Sequence, residues 1–347
     1  MELRNCGSSD LKLSALGVGC WSFGGGEYWG EQAQADADQV VRRAVDLGIT
    51  YFDTAESYNE GRSESSLGRA IRGIPRDRIV IGTKISPSNV APDVLPRHCE
   101  DSLKRLGTEY IDLYMVHWPI TPHSIGHFKE QQTDCPSVQE TFTALRRLQE
   151  QGKVRYIGVS NFAAPKLREA LDTGTMIVVD QLPYSLVARA IEHEILPQCR
   201  ELGIGVVGYM PLWQGLLTER YAGLDELPVW RRRTRHFDAR KNELARHGEG
   251  GAEEETWQAV LAVRTIAREL GRSTAEVALR WTLQGPGISC VLAGARSRQQ
   301  LEANVEAAGE RLSEEVVQRL AAETEALKKK LGPSCDYFEG TANDRTR

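Results

Sequence analysis

The sequence contains no run of about 18 apolar residues, and its first residues do not combine a basic stretch with an apolar one. Segments of these two kinds mark membrane spans and secretory signal peptides, so we expect a cytoplasmic protein without a membrane partner. The net charge of −5 also gives no reason to expect nucleic acid as a partner. A homo-oligomer is compatible with this composition, although no pattern in the sequence indicates one.

Clustered metal ligands are missing as well. The seven cysteines are scattered, and the sequence has no Cys-x-x-Cys, no His-x-His and no His-Glu-x-x-His pattern. These absences argue against a zinc ribbon, a thioredoxin-like site and a zinc hydrolase. We therefore predict no metal site, and we expect the cysteines to be free thiols in a reducing compartment.

The sequence also lacks a feature that each of three other enzyme classes needs. The nearest match to the Gly-x-Gly-x-x-Gly loop of Rossmann dehydrogenases is residues 17–22 (GVGCWS), which lack the last glycine. The Tyr-x-x-x-Lys pair of short-chain dehydrogenases is absent. A barrel glycosidase needs two facing carboxylates at strand ends, and Asp53 is the one that the predicted strands supply.

What the sequence does contain is a regular alternation of short β-branched runs with longer amphipathic stretches, which predicts βα units and a parallel sheet. We predict eight strands, which fit a closed (β/α)8 TIM barrel in the α/β class, as a single domain over residues 1–347. The predicted strands are 15–19, 49–53, 79–84, 111–117, 155–160, 177–181, 204–209 and 288–293. The predicted helices are 36–47, 63–72, 93–106, 137–151, 164–172, 190–202, 255–270, 273–284 and 297–308.

Segments outside this alternation are predicted to flank or cover the barrel. Residues 2–13 resemble a small N-terminal hairpin, and a C-terminal helix at 313–330 precedes a polar tail. The stretches 118–136 and 210–254 are too long and irregular to be simple connectors, so we expect them to carry function.

Ionisable residues stand at or just beyond the carboxyl ends of the predicted strands, where barrel enzymes have their active sites. Asp53, Lys84 and His117 end three strands, and Tyr58 follows Asp53 by five residues. An ammonium about 4 Å from a phenol can lower the phenol pKa from about 10 toward neutrality. Asp53 would orient Lys84 and cancel part of this effect. His117 could bind the substrate oxygen or share the proton, so the group suits acid–base chemistry on a carbonyl or alcohol.

Several ordered motifs resemble those of the aldo-keto reductases and together span about residues 10–310. The most specific is 52–58 (FDTAESY) followed by 63–68 (SESSLG). The others are 17–21 (GVGCW), 83–84 (TK), 112–119 (DLYMVHWP), 152–162 (GKVRYIGVSNF), 209–212 (YMPL) and 215–217 (GLL).

This resemblance implies reduction of an aldehyde, ketone or sugar carbonyl by NADPH, with NADH as a possible cofactor. Tyr58 would be the general acid, Lys84 and Asp53 would tune it, and His117 would orient the carbonyl. The implied cofactor contacts are Trp21, Asp53, Ser160, Asn161, Gln181, Tyr209, Met210, Pro211, Leu212, Gly215, Arg220, Gly294, Arg296, Gln300 and Asn304. The implied substrate contacts are Trp21, Tyr58, His117 and Trp118.

Departures from the family pattern lie near the implied cofactor path. Met210 stands where a serine is usual, Ala303 where a glutamate is common, and Trp213-Gln214 are bulkier than the usual residues. Arg296 still favours a 2′-phosphate, because a guanidinium can bind one through two parallel hydrogen bonds.

Two alternative functions stay open: a nicotinamide-binding regulatory subunit with slow turnover, and a sugar or polyol dehydrogenase that works in the oxidative direction. The basic run 231–236 is interpreted as a solvated helix surface, with a contact to the cofactor phosphates as the second interpretation. The tail at 336–338 is a candidate cover for the barrel mouth.

Overall fold

A short hairpin precedes the barrel in the computed structural model, which describes residues 1–129 and 135–347. Strands β1 (Leu3–Asn5) and β2 (Lys12–Ser14) pair antiparallel, which agrees with the predicted hairpin. Its turn contains Gly7 at φ +57, and a Cβ at this position would overlap the backbone carbonyl of Gly203. Glycine is therefore the residue that this close approach of two backbones accepts.

Eight parallel strands then form a closed barrel in the order β10-β3-β4-β5-β6-β7-β8-β9, and the prediction of a (β/α)8 fold is confirmed. Their apolar character follows from the fold, because a parallel sheet is covered on both faces. The barrel strands are β3 (Leu16–Gly19), β4 (Tyr51–Asp53), β5 (Val80–Ile85), β6 (Ile111–Val116), β7 (Val154–Ser160), β8 (Ile177–Pro183), β9 (Gly205–Tyr209) and β10 (Ile288–Gly294).

The helices pack around the barrel through apolar stripes. In the first of them, Val40, Val41, Ala44 and Val45 are buried at helical spacing. The helices are α1 (Gln34–Asp46), α2 (Arg62–Ala70), α3 (Leu95–Leu106), α4 (Pro122–Phe128), α5 (Val138–Glu150), α6 (Ala164–Asp172), α7 (Ile195–Glu201), α8 (Glu253–Glu269), α9 (Thr274–Leu283), α10 (Arg298–Ala307), α11 (Glu314–Glu323) and α12 (Glu325–Leu331).

The barrel interior explains the first glycine of the GVGCW motif. The ring of Tyr51 fills the centre of the barrel, and a Cβ on Gly17 would lie 2.9 Å from it. A Cβ on Gly82, in the strand on the other side, would overlap the Tyr51 hydroxyl. Both glycines therefore make room for an aromatic side chain within the sheet.

Two predicted helices are divided in the structure. The predicted helix at 190–202 is a 3-10 turn at Ala190–Glu192 followed by α7. Because Pro197 has no amide proton, it is tolerated in the first turn of a helix, and α7 begins two residues before it.

The predicted helix at 313–330 breaks at Thr324 into α11 and α12. The cause is a tertiary contact of Arg189. Its guanidinium donates to the carbonyl oxygen of Ala321 at 2.7 Å and to the hydroxyl of Thr324 at 3.0 Å. The Ala321 carbonyl oxygen therefore accepts a hydrogen bond from Arg189 at the point where a continuous helix would use it as an acceptor for the next turn.

The two long irregular stretches, 118–136 and 210–254, contain different secondary structure. The first contains α4, and its residues 130–134 lie outside the described residues. The stretch 210–254 has, among its ordered turns, 3-10 turns at Trp213–Gly215 and Val229–Arg231.

The interpretation of 231–236 as a solvated helix surface is wrong, because Arg235 and His236 are buried. Arg235 donates to the carbonyl oxygen of Leu331, at the end of α12, at 2.6 Å. The carbonyls exposed at a helix C-terminus attract a guanidinium, which accounts for the burial.

Candidate active site

Lys84 is the centre of the site at the carboxyl end of the barrel. It lies in β5, is fully buried, and its Nζ donates to Asp53 Oδ2 at 2.7 Å and to the Thr54 carbonyl at 2.9 Å. The same nitrogen lies 3.2 Å from the hydroxyl of Tyr58. The lysine, aspartate and tyrosine that the sequence predicts as catalytic are therefore in direct contact.

Asp53 is held from the opposite side of the barrel by Gln181 and from its own strand by Tyr51. Its Oδ1 accepts hydrogen bonds from Gln181 Nε2 at 2.7 Å and from the Tyr51 hydroxyl at 3.3 Å. Tyr51 is a site residue that the sequence reasoning missed. Its position two residues before Asp53 on the same strand face was the available signal, because side chains alternate along a strand.

A tight turn carries Tyr58 over the barrel mouth. Asn59 and Glu60 have φ values of 51 and 58, and Asn59 Nδ2 donates to the carbonyls of Trp21 and Phe23. The preceding residues are anchored by Glu56, a second residue that was missed. Its carboxylate, which is largely buried, accepts hydrogen bonds from the Ser86 amide, the Asn89 amide group and His98 Nδ1 at 2.7–2.9 Å.

The predicted lowering of the Tyr58 pKa is wrong for this arrangement. Burial of the phenol raises its pKa well above 10.0, and the negative charge of Asp53 raises it further. Burial also lowers the pKa of Lys84, against the opposing effect of Asp53. Desolvation is the largest cause of the raised Tyr58 pKa, and Asp53 adds to it. Tyr58 is therefore a neutral hydrogen-bond donor in this state.

His117 follows β6 directly and is buried beside Tyr58, with ring centroids 5.6 Å apart. Its Nδ1 lies 3.4 Å from Ser57 Oγ, and its backbone carbonyl accepts from Asn161 Nδ2. Burial, followed by the charge of Lys84, lowers the pKa of His117 well below 6.5. The imidazole is therefore neutral at physiological pH, and the structure brings the four predicted catalytic residues together.

The residues predicted to hold a nicotinamide lie near the ends of the next three strands: Ser160, Asn161 and Gln181 for its carboxamide, and Tyr209 for its ring. Tyr209 donates to Asn161 Oδ1 at 2.7 Å, Asn161 donates to Ser160 Oγ at 3.1 Å, and Ser160 donates to the Gln181 carbonyl at 2.9 Å. These hydroxyl and amide groups include both donors and acceptors, which is the chemistry that a carboxamide requires. The donor set therefore fits the implied cofactor.

The segment after β9 adopts unusual backbone conformations. Met210, Trp213 and Gln214 all have positive φ, and Gly215 has φ +94 within the same stretch. The segment is buried at Pro211 and half-buried at Leu212. Strained backbone of this kind clusters at ligand sites.

Arg220, a predicted cofactor contact, lies just beyond this segment in the sequence. It is exposed, and its guanidinium lies 5.5 Å from the ring centroid of Tyr221. Arg231, from the basic run, donates instead to the Gln214 carbonyl at 2.8 Å.

The residues predicted for the adenosine end lie at and after the end of β10, and they contact one another and the loop after β3. Asn304 Nδ2 donates to the Gly294 carbonyl at 3.2 Å, and Gln300 Oε1 accepts from the Arg296 amide at 2.9 Å. The Arg296 guanidinium donates to Gln32 Oε1 at 2.9 Å and to the Trp29 carbonyl at 2.7 Å.

Aromatic rings form one wall of the mouth. Trp21 stacks on Tyr58 at 5.7 Å and on Tyr28 at 5.0 Å between ring centroids, and Trp29 meets Trp21 edge-on at 5.3 Å. Phe128, from α4, lies 5.7 Å from His117. Of the wall residues Trp21, Tyr28, Trp29 and Phe128, the sequence indicated Trp21, because loop conformations decide which of the other aromatics reach the mouth.

The C-terminal tail covers another part of the rim, as the sequence suggested. Arg345 lies over the ring of Trp118 at 4.1 Å and makes a buried ion pair with Asp336 at 2.7 Å. The Ala163 amide donates to the Thr346 carbonyl at 2.9 Å. The tail therefore joins the loops that follow β6 and β7.

In residues 1–129 and 135–347, no group of three or more His, Cys, Asp or Glu side chains is placed to hold a metal ion. The same ranges contain no helix with the length and apolar character needed to cross a membrane. Buried free thiols are found at Cys6, Cys20, Cys99, Cys199, Cys290 and Cys335.

Comparison with known proteins agrees with this geometry. The model of the aldo/keto reductase family matches residues 15–324. The NADH-specific methylglyoxal reductase of Escherichia coli is 32% identical over 93% of this chain and 98% of its own. The aldo-keto reductase YhdN of Bacillus subtilis is 31% identical over 91% of each chain.

Solved structures give the same result. The glycerol dehydrogenase of Gluconobacter oxydans superposes with a TM-score of 0.75 at 27% identity, covering 93% of this chain and 95% of that one. An aldo/keto reductase of Klebsiella pneumoniae, solved with NADP and acetate, has a TM-score of 0.68 at 26% identity and covers 97% and 99%. With the family model matching most of its length, the chain belongs to the aldo/keto reductase family.

Proposed function

We propose that this chain is a nicotinamide-dependent oxidoreductase that reduces an aldehyde, ketone or sugar carbonyl to the alcohol, with NADPH or NADH as cofactor and Tyr58 as the general acid. The observation that carries the proposal is the hydrogen bond between the Tyr58 hydroxyl and a buried Lys84 that also binds Asp53. The relatives support it, since they include an NADH-specific reductase and an enzyme solved with NADP.

The cofactor, when bound, supplies the hydride that is added to the carbonyl carbon. Ser160, Asn161 and Gln181 would bind its carboxamide, and Tyr209 would stack on its ring. The remaining cofactor contacts would be those at the ends of β9 and β10. These roles rest on the family resemblance and on the donor set described above.

Tyr58 would donate its proton to the substrate oxygen as negative charge develops there. The phenolate left behind would be stabilised by the Lys84 ammonium 3.2 Å away, in a water-poor site where such attraction is strong. Asp53 opposes the burial that lowers the pKa of Lys84, and so favours its ammonium form. Neutral His117 would donate a hydrogen bond to the same substrate oxygen and orient the carbonyl.

The substrate carbonyl would be bordered by aromatic rings. Trp21 and Trp118 would be walls of this pocket, with Tyr58 and His117 at its base. Methylglyoxal is the first substrate to test, because two relatives carry the name methylglyoxal reductase.

Oxidation of a polyol is the second candidate, favoured by the similarity to a glycerol dehydrogenase. In that direction Tyr58 must first lose its proton. The raised pKa of Tyr58 places this loss at alkaline pH, so oxidation of a polyol is best tested there.

The deciding experiment compares wild-type protein with Tyr58→Phe. Oxidation of NADH and NADPH is followed with methylglyoxal and a panel of aldehydes, ketones and sugars. We expect kcat/KM to fall by about 10²- to 10⁴-fold, the usual contribution of a general acid. Cofactor dissociation constants should not change.

Tyr156→Phe is the matched control, because the Tyr156 hydroxyl binds Asp10 of the hairpin turn, away from the mouth. Full turnover by the Tyr58 variant would refute the proposed role. A wild-type protein that holds the cofactor tightly but turns over negligibly would support the regulatory-subunit alternative.

A further inference from the structure

Tyr51 is a phenol in the apolar interior of the barrel. It is fully buried in the interior cluster that includes Leu113, Met115 and Val207. A buried tyrosine hydroxyl usually has a hydrogen-bond partner. The partner here is Oδ1 of Asp53, at 3.3 Å. Tyr51 thus connects the barrel core to one member of the proposed catalytic group.

The neighbouring strand leaves space for this hydroxyl. Gly82 in β5 is paired with Asp53 in the register of the sheet and stands two residues before Lys84. A Cβ at Gly82 would overlap the Tyr51 hydroxyl oxygen and would lie 2.8 Å from the nearest ring carbon. Because the hydroxyl oxygen is the atom closest to that position, the missing side chain of Gly82 accommodates the hydroxyl beside Asp53.

Three donors share the carboxylate of Asp53. Lys84 Nζ donates to Oδ2 at 2.7 Å, whereas Gln181 Nε2 at 2.7 Å and the Tyr51 hydroxyl at 3.3 Å donate to Oδ1. The terminal torsion of an aspartate has a broad energy profile, so one contact alone does not fix the orientation of the carboxylate. Donors on both oxygens do fix it, and they keep Oδ2 directed at Lys84.

The two donors on Oδ1 differ in what else they are expected to bind. Gln181 is one of the residues proposed for the nicotinamide carboxamide, and its Nε2 is the atom that binds Asp53. A carboxamide that draws this nitrogen away would leave the Tyr51 hydroxyl as the donor on Oδ1 among the described residues. Tyr51 is fully buried, so a cofactor at the mouth does not reach its hydroxyl.

A neutral donor also changes how Asp53 acts on Tyr58. The negative charge of Asp53 adds to the raised pKa of Tyr58, and therefore opposes the phenolate that forms when Tyr58 gives up its proton. Burial raises the pKa of Tyr51 well above 10.0, so the Tyr51 hydroxyl keeps its hydrogen for Asp53. A hydrogen bond to a carboxylate stabilises its charge, and the positive end of the hydroxyl dipole weakens the effect of that charge on other groups.

We propose that Tyr51 is a positioning residue: its hydroxyl holds Asp53 from inside the barrel, keeps that carboxylate directed at Lys84, and weakens its opposition to the phenolate that forms at Tyr58. This inference rests on the proposed function, because it concerns the same proton transfer. Tyr51 acts through Asp53 and contacts neither substrate nor cofactor. A purely structural role would need the aromatic ring alone.

Tyr51→Phe keeps the ring and removes the hydroxyl. We expect kcat/KM at saturating cofactor, for the carbonyl compound that the wild type reduces fastest, to fall by about 3- to 10-fold, the scale of one hydrogen bond. The solvent deuterium isotope effect on kcat/KM should increase, because Tyr58 becomes a weaker acid and its proton transfer limits the rate more strongly. A structural role would leave this isotope effect unchanged.

Tyr114→Phe is the matched control. Tyr114 is also a fully buried tyrosine of a barrel strand, but its hydroxyl has no hydrogen-bond partner among the described residues. Removing this hydroxyl should alter neither kcat/KM nor the solvent isotope effect. Equal decreases in the two variants, or wild-type values in Tyr51→Phe, would overturn the proposal.

Urea unfolding of the cofactor-free protein tests the hydrogen bond without turnover. We expect the unfolding equilibrium constant to rise by about 3- to 10-fold in Tyr51→Phe, because Asp53 loses a donor. In an Asp53→Asn background the same substitution should have a smaller effect, since the acceptor there carries no charge. Tyr114→Phe should not destabilise the protein, because its hydroxyl makes no hydrogen bond that could be lost.

The two measurements distinguish this inference from the proposed function. A Tyr51→Phe protein that is less stable but keeps the wild-type kcat/KM and isotope effect would overturn the positioning role and leave the proposed function intact. A wild type that reduces no carbonyl compound would refute the proposed function, and the positioning role with it, even if urea unfolding shows the hydrogen bond between Tyr51 and Asp53.

Discussion

At the scale of single residues, the site depends on the buried ammonium of Lys84, which is stable only while its hydrogen-bond partners are present. Lys84 is fully buried, and water cannot solvate its ammonium. Asp53 and the Thr54 carbonyl replace that water at 2.7 and 2.9 Å. Removing one partner of a buried ion pair is costly, because the remaining charge is left without compensation.

Lys84→Met tests this dependence. We expect carbonyl reduction to be lost and the free energy of unfolding to fall by about 3–5 kcal/mol, because Asp53 keeps a buried charge without its partner. Urea unfolding and kcat/KM measure the two effects. The double variant Asp53→Asn/Lys84→Met should regain most of the stability and none of the activity; a single variant as stable as wild type would contradict the argument.

The pH profile of reduction tests the electrostatics of Tyr58 and His117. The acid form of Tyr58 is the active one, and burial raises its pKa above 10.0, so the active form persists to higher pH than for a free phenol. His117 acts as a neutral imidazole, and its lowered pKa moves its protonation below 6.5. We expect kcat/KM at saturating cofactor to be constant through neutral pH and to decline only beyond these two values. A basic limb near pH 7 would show that the Tyr58 pKa is lowered in the working enzyme.

At the scale of elements, the C-terminal tail stabilises the loops around the mouth. Its Asp336–Arg345 pair is buried, and both Arg345 nitrogens that face the carboxylate lie within 2.8 Å of it. The Arg345 carbonyl also accepts from Ser124 Oγ of α4 at 3.1 Å. The C-terminal tail thus holds together α4 and the loops after β6 and β7, which are far from it in sequence.

Arg345→Ala should remove this support. We expect a loss of about 3–5 kcal/mol in the free energy of unfolding, because Asp336 loses its buried partner. The substrate KM should rise more than kcat falls, since Trp118 loses the guanidinium that covers it. Arg347→Ala is the control: its ion pair with Asp344 is 3.5 Å long and partly exposed, and such pairs contribute about 0–1 kcal/mol. Similar losses in the two variants would contradict the role of the tail.

The sequence predicted the elements whose signal is local. The barrel strands, most helices and the position of Asp53, Lys84, Tyr58 and His117 followed from periodicity, strand ends and motif. The break at Thr324, the burial of Arg235 and the engagement of Arg296 did not, because each depends on a tertiary contact with a distant carbonyl. The catalytic roles of Asp53, Tyr58, Lys84 and His117, and the roles of the predicted cofactor contacts, stay predictions.

At the scale of the whole molecule, we expect one buried acid, Asp180, to oppose folding at neutral pH. Asp180 precedes Gln181 in β8 and is fully buried near Cys199 and Cys335. Neither carboxyl oxygen has a hydrogen-bond partner of good geometry among the described residues. Burial raises the pKa of Asp180 well above 3.8, and the nearby Phe162 backbone opposes only part of that rise.

Stability should therefore depend on the protonation of Asp180. A folded-state pKa above the unfolded value means that this group's contribution is fully present below pH 3.8 and is lost as the pH rises through the folded pKa. We expect Asp180→Asn to increase the free energy of unfolding at pH 8 and to lose this advantage toward pH 4. Urea unfolding across that range measures the effect, with wild type as reference. A benefit that does not vary with pH would show that the carboxyl is not protonated in the folded chain.

The N-terminal hairpin closes the far end of the barrel, where Cys6, Leu11 and Leu13 join the interior cluster and the Ser8 amide binds the Gly203 carbonyl. The candidate active site therefore lies at the opposite end of the barrel, and both reactants of the proposed reaction would enter there. With the proposed dinucleotide bound beneath a small carbonyl compound, we expect the cofactor to bind first and to leave last.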